Sequence, residues 1–135
     1  MIELIPACAA GAVLSGQYGK AAIEQAEQRL LREQQVDCPL THSFAPGVYL
    51  REVFMPAGII VIGHEHVTEH FNIVLSGRAK VMLDGELHDI VAPCSFVSKP
   101  GVRKVLLIEE DMRWATVHPT NETNIAKLES MLVIK

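Results

Sequence analysis

The sequence predicts a mainly β protein, a small barrel or jelly roll with an N-terminal helix and a short C-terminal helix. Three observations predict it. Short apolar segments recur from Tyr49 to Val117, and turn signals separate them: Pro56-Ala57-Gly58, Ser76-Gly77, Ala92-Pro93 and Pro100-Gly101. Asp84-Gly85 stands between two such segments and is a strong two-residue hairpin signal, since both residues accept the positive φ of a type I′ turn. On either side of this region the apolar residues take up helical spacing instead.

Taken in order, Met1 to Gly19 is rich in Gly and Ala without a clear period, and an irregular arm is expected there. Gln17 to Gln35 predicts a helix. Ala21, Ala22, Ala26, Leu30 and Leu31 are good helix formers, and Ile23, Ala26 and Leu30 share a face. Asp37, Cys38 and Pro39 end it. With few large apolar residues, this helix must pack on the barrel or on a partner subunit. Eight strands follow: Val48 to Phe54, Ile59 to Ile62, Phe71 to Leu75, Ala79 to Leu83, Glu86 to Val91, Ser95 to Ser98, Val102 to Ile108 and Met112 to Val117. After them, Thr120-Asn121-Glu122-Thr123 offers caps for a helix whose apolar face is Ile125, Leu128 and Leu132; Met131-Leu132-Val133-Ile134 also reads as a strand. A chain of 135 residues makes one unit, with 1–40 as arm and helix and 41–135 as the barrel with its C-terminal helix.

Bulk composition excludes several function classes. The net charge is -4 and no run of Lys and Arg interrupts it, which argues against nucleic acid as a partner. No apolar run reaches the length of a membrane span, and no basic residues precede the apolar stretch Ala7 to Leu14 as a secretory signal would require. A soluble, cytoplasmic protein is expected. Cys8, Cys38 and Cys94 are odd in number and widely spaced, which reads as free thiols.

The densest chemistry lies in His64-Glu65-His66-Val67-Thr68-Glu69-His70, between the β-type runs Ile59-Ile60-Val61-Ile62 and Phe71-Asn72-Ile73-Val74-Leu75. Residues two apart on a strand share a face, so His64 and His66 point the same way, and a turn over Val67 to Glu69 returns His70 beside them. Three such imidazoles suit a divalent transition metal: Zn, Fe, Ni, Mn or Cu. The competing reading is a polar hairpin tip. Glu65 and Glu69 alternate away from the histidines, toward solvent.

The stretch from Gly58 to Gly77 resembles the first motif of the cupin superfamily: Gly, five residues, His-x-His, three or four residues, Glu, six residues, Gly. Gly58, His64, His66 and Gly77 fall in register, and His70 occupies the glutamate position. The second motif matches poorly. Cys94 stands at its glycine and Pro100 keeps its spacing, but Gly101-Val102-Arg103-Lys104 lacks the ligand histidine. The resemblance implies a double-stranded β-helix barrel, a metal held by His64, His66 and His70 with positions left open for water or substrate, and a homodimer. The chain also looks like small uncharacterised cupin-like proteins of phages and prophages, on the segments His64 to His70, Phe96 to Gly101 and Val117 to Thr120.

Further candidate residues flank this site in the sequence. Asn72, two beyond His70, points into the same cavity, either as a substrate or ligand-supporting contact or as a satisfied core residue. Met112, Trp114, Thr116 and His118 share a face by alternation, which makes His118 a fourth ligand, a general base or a surface residue. Arg103 and Lys104 could pair a substrate carboxylate or phosphate if they point inward. Tyr49 and Arg51 alternate on one face and could line the barrel mouth. His42 and His88 read as surface, and Trp114 as core. Three functions fit: a metal-dependent enzyme on a small polar metabolite, a non-catalytic binder of a small molecule or structural metal, and an oligomeric accessory protein. The sequence does not select among them.

Overall fold

In the computed structural model, residues 4–6, 13–14, 28, 32, 35–63, 65–83, 86–101 and 104–134 are described. The expected helix at Gln17 to Gln35 falls almost wholly outside them, as do His64 and Arg103. The described strands are β1 (Leu4–Pro6), β2 (Val13–Leu14), β3 (Leu40–Ala45), β4 (Val48–Met55), β5 (Ile60–Ile62), β6 (Glu65–His66), β7 (His70–Leu83), β8 (Glu86–Val91), β9 (Cys94–Ser98), β10 (Val105–Pro119) and β11 (Val133–Ile134); a single described helix, α1, covers Ile125–Leu132.

Two long strands organise the barrel. The first half of β7 pairs with β9 and the second half with β8, while β10 runs antiparallel beside both halves. The other edge of β10 takes β5 along Val105–Leu107 and β4 along Met112–Pro119. Each long strand thus serves two sheets, β5-β10-β7-β8-β1 and β3-β4-β10-β7-β9-β2. This is a mainly antiparallel jelly-roll arrangement, as the strand spacing predicts.

The bend from one sheet to the other falls where β7 and β10 lose register, between Ile108 and Trp114. Gly77 permits it. Its φ is +95°, and a Cβ there would overlap the Asp111 carbonyl and lie 2.8 Å from Met112 Cα. The sequence reads Ser76-Gly77 as a turn between two strands. The chain instead passes through as one bulged strand, because positive φ at a close backbone approach suits a bulge as well as a turn.

The N-terminal stretch expected to be irregular contributes two strands: Leu4–Pro6 lies parallel to Leu87–Asp89, and Val13–Leu14 lies parallel to Val97–Ser98. β3 also has no counterpart among the expected strands. It forms an edge hairpin with β4 across Gly47, whose φ is +78°. Cys38 is a free thiol, whereas Cys94 is disulfide-bonded, which corrects the expectation of free thiols throughout.

The interior is divided. Met55, Val74, Ala79, Val81, Ile90, Phe96, Leu106, Ile108, Met112 and Trp114 form an apolar cluster. Toward the other end the inward positions become polar: His70, Asn72, Ser98 and His118 are all buried. A second cluster of Tyr49, Leu128 and Leu132 packs α1 over that polar end. Asn124 caps α1, accepting a hydrogen bond from the Lys127 amide at 3.0 Å. The chain then continues into β11, so both a helix and a strand form where the sequence offered one or the other. Among the described residues, no helix is long and apolar enough to cross a membrane.

Candidate metal centre

Three elements bring imidazoles to the polar end of the barrel. His66 ends β6, His70 begins β7 and His118 lies near the end of β10. Alternation sets their direction. On β7, His70, Asn72 and Val74 are buried while Phe71 and Leu75 are exposed. On β10, Met112, Trp114 and His118 are buried, as their shared parity predicts.

The β6 segment is clamped from two sides. Val133 and Ile134 of β11 pair with His66 and Glu65, and the Val67 amide donates to the Leu132 carbonyl at 3.0 Å. On the other side the Gly101 amide donates to the His66 carbonyl at 3.1 Å, and the Gly63 amide to the Lys104 carbonyl at 2.9 Å. The C-terminus and the β9–β10 turn therefore hold His66 in place.

The rings are close. Centroids of His66 and His70 are 4.4 Å apart, those of His70 and His118 4.9 Å, and those of His66 and His118 5.5 Å. One nitrogen from each of the three lies within 4.8 Å of the others. Donors on one ion with bonds of about 2.0 Å are separated by roughly 3.3 Å, so a small contraction brings them into ligation.

Hydrogen bonding orients the rings. His70 Nδ1 sits 3.1 Å from the Thr68 carbonyl, which can only accept, so Nδ1 carries the proton and Nε2 keeps its lone pair. His118 Nε2 lies 3.0 Å from the Thr116 hydroxyl. Three of the other nitrogens, His66 Nδ1, His70 Nε2 and His118 Nδ1, are buried without a hydrogen-bond partner. Three orphaned nitrogens on three neighbouring rings would be costly if nothing satisfied them.

Electrostatics keep the rings neutral. Burial pushes His66 down to about 3, and the neighbouring His70, His118, Lys104 and Arg51 push the same way. Burial, then His70 and Arg51, bring His118 down to about 4. His70 is lowered too, chiefly by burial, although its bond to Thr68 opposes the shift. A neutral imidazole is the form that binds metal.

The other expected site residues divide. Both amide atoms of Asn72 are engaged, Nδ2 donating to Ser98 Oγ at 2.8 Å and Oδ1 accepting from Trp114 Nε1 at 3.0 Å. This buried network sits directly beneath the histidines. Lys104 is partly buried, and burial lowers its ammonium to about 8. Glu69 turns outward to Lys99 at 2.8 Å. His42, read as surface, is half-buried and places Nδ1 2.6 Å from the Tyr49 hydroxyl, and Tyr49 stacks on His118. No spacing rule links His42 to the motif; only the β3–β4 hairpin brings it there.

An open pocket of about 530 Å³ also touches His70. Val48, Phe71, Val97, Val117 and Pro119 line it, and these lie on the outward parity of the same strands. It is a feature of the sheet exterior, not the space enclosed by the three rings.

No family model matches the sequence, and no curated protein matches it. Solved structures do. A cupin superfamily protein from Desulfitobacterium hafniense aligns with a TM-score of 0.53 at 11% identity, covering 66% of this chain and 83% of the other. A Cupin 2 conserved barrel domain protein from Salinispora arenicola gives 0.52 at 15% identity, over 75% of this chain and 89% of the other. Ectoine synthase from P. lautus gives 0.54 at 13% identity, over 64% of this chain and 67% of the other. The barrel is a cupin fold.

Proposed function

On this cupin-fold barrel, we propose that His66, His70 and His118 bind one divalent transition metal, leaving coordination positions for a small-molecule ligand. The observation that carries the reading is the meeting of three buried imidazoles, each offering one nitrogen within 4.8 Å of the others and each holding a buried nitrogen without a hydrogen-bond partner. Three neutral nitrogen donors suit Zn, Fe, Ni or Cu better than the oxygen-seeking Mg or Ca. The Thr68 carbonyl and the Thr116 hydroxyl would orient His70 and His118 from behind, the usual support for a metal-ligating imidazole. A bound ion would supply Lewis acidity and an activated water. Binding, rather than a particular reaction, is what the geometry supports.

Elemental analysis of the purified protein tests this. About one ion per chain is expected, lost on chelation and regained with added Zn²⁺, and lost in the His66→Ala, His70→Ala, His118→Ala triple variant. A folded wild type that takes up no metal on reconstitution would refute it.

A further inference from the structure

The chain between β2 and β3 has to travel from one edge of a sheet to the other. Among the described residues β2 pairs with β9 alone and β3 with β4 alone, so they stand at opposite edges of the sheet β3-β4-β10-β7-β9-β2. Leu14 leaves one edge beside Ser98, and Leu40 enters the other beside Val53. Five strand spacings separate the edges, about 24 Å at about 4.8 Å each. The amphipathic stretch Gln17 to Gln35 would be roughly 28 Å long as a helix. One helix of that length bridges the sheet, with a few residues at each end to turn.

The surfaces such a helix could follow differ sharply. The interior is filled by the apolar cluster and by His70, Asn72, Ser98 and His118. The outer face of the sheet β5-β10-β7-β8-β1 carries the ion pairs Arg78–Asp89, Arg78–Glu109 and Lys80–Glu109. The outer face of the first sheet is apolar instead. Leu50, Val117, Phe71 and Val97 stand side by side on the outward parity of β4, β10, β7 and β9, a band that runs across the strands, and the register continues to Val13 of β2. Phe71, in the middle of the band, is 59% exposed. The open pocket described above lies along it. A contiguous apolar surface of this kind marks a face that something covers. The sequence supplies a matching stripe in Ile23, Ala26 and Leu30. Gln28 and Arg32, which fall on the opposite side of that helix, are both exposed.

We propose that residues 17–35 form a helix lying across the outer face of this sheet, with Ile23, Ala26 and Leu30 seated on the band from Leu50 to Val97. The barrel is then strapped by its own chain, and this face is not the surface on which a second copy docks.

Amide hydrogen exchange of the full chain, read by mass spectrometry of peptides covering residues 17–35, tests it, with the mass in solution taken from sedimentation equilibrium. Wild-type amides there are expected to exchange at least about tenfold more slowly than an unstructured chain of the same sequence. Leu30→Asp, on the helix, and Phe71→Asp, on the sheet, should each remove that protection by about tenfold or more, while β10 keeps its own and the mass in solution does not change. No protection in the wild type, or equal protection in wild type and Leu30→Asp, would overturn the proposal. Loss in Leu30→Asp but not in a folded Phe71→Asp would place the helix on another surface and overturn it as well. A wild-type dimer that Phe71→Asp splits into monomers would assign the face to a second copy, against the proposal. Should Phe71→Asp fail to fold, Phe71→Ser, which removes the ring without adding a charge, takes its place in the comparison.

Discussion

Taking the metal-free protein from pH 7 to pH 5 should remove about 4 kcal/mol of its stability. His66 and His118 titrate near 3 and 4 when folded, against an ordinary value of 6.5. Below pH 6.5 the unfolded chain therefore takes up protons that the folded chain refuses, and stability falls as pH falls. The loss is fully absent well above 6.5 and keeps growing until pH reaches the folded values. At pH 5 each group has moved about 1.5 pH units into this window, at about 1.4 kcal/mol per unit, or roughly 2 kcal/mol each. His70 shifts in the same direction and adds to the loss. Domains are typically stable by about 5 to 15 kcal/mol, so the effect is large enough to measure easily. Urea unfolding in the presence of a chelator, at the two pH values, gives it directly. A His66→Gln, His118→Gln variant lacks both titrations and should lose about 4 kcal/mol less between them. Parallel losses in the wild type and the variant would refute the burial of these rings as neutral groups.

Other substitutions probe the supporting structure. Gly77→Ala should destabilise by about 3 kcal/mol or more, since it combines positive φ with overlap on Asp111 and Met112, whereas Gly58→Ala, at φ +86° with nothing within 4 Å, should cost only about 1 to 2 kcal/mol; thermal melts of the pair separate close approach from backbone strain. Asn72→Leu should cost about 2 to 4 kcal/mol in urea unfolding by leaving Trp114 Nε1 and Ser98 Oγ unpaired, and should lower Zn²⁺ affinity less than any ligand substitution.

Much of this arrangement is legible in the sequence because strands carry a strict two-residue period. That period places Trp114 and His118 on one inward face and sends Glu69 outward. The His-x-His run and the cupin-like spacing around it mark out the segment that supplies His66 and His70. What the sequence obscures is non-local. His118 joins the cluster because β10 lies beside both β4 and β7, nearly fifty residues away in sequence from His70. Its position before Pro119 looks like a strand end at the surface, yet α1 covers it through Tyr49, Leu128 and Leu132. Ser76-Gly77 shows the opposite limit: the glycine signal is real, but the same positive φ serves a turn or a bulge, and only the approach of Asp111 and Met112 selects the bulge.

In the proposed centre, His118 completes the ligand set with His66 and His70. Zn²⁺ affinity measured by competition with a chromophoric chelator, for the wild type, His118→Ala and His64→Ala, tests it most directly. A loss of about 100-fold or more is expected in His118→Ala, with the fold intact by circular dichroism. A comparable loss in His64→Ala would add that residue as a fourth donor without displacing the other three. Unchanged affinity in a folded His118→Ala protein would rule His118 out as a ligand.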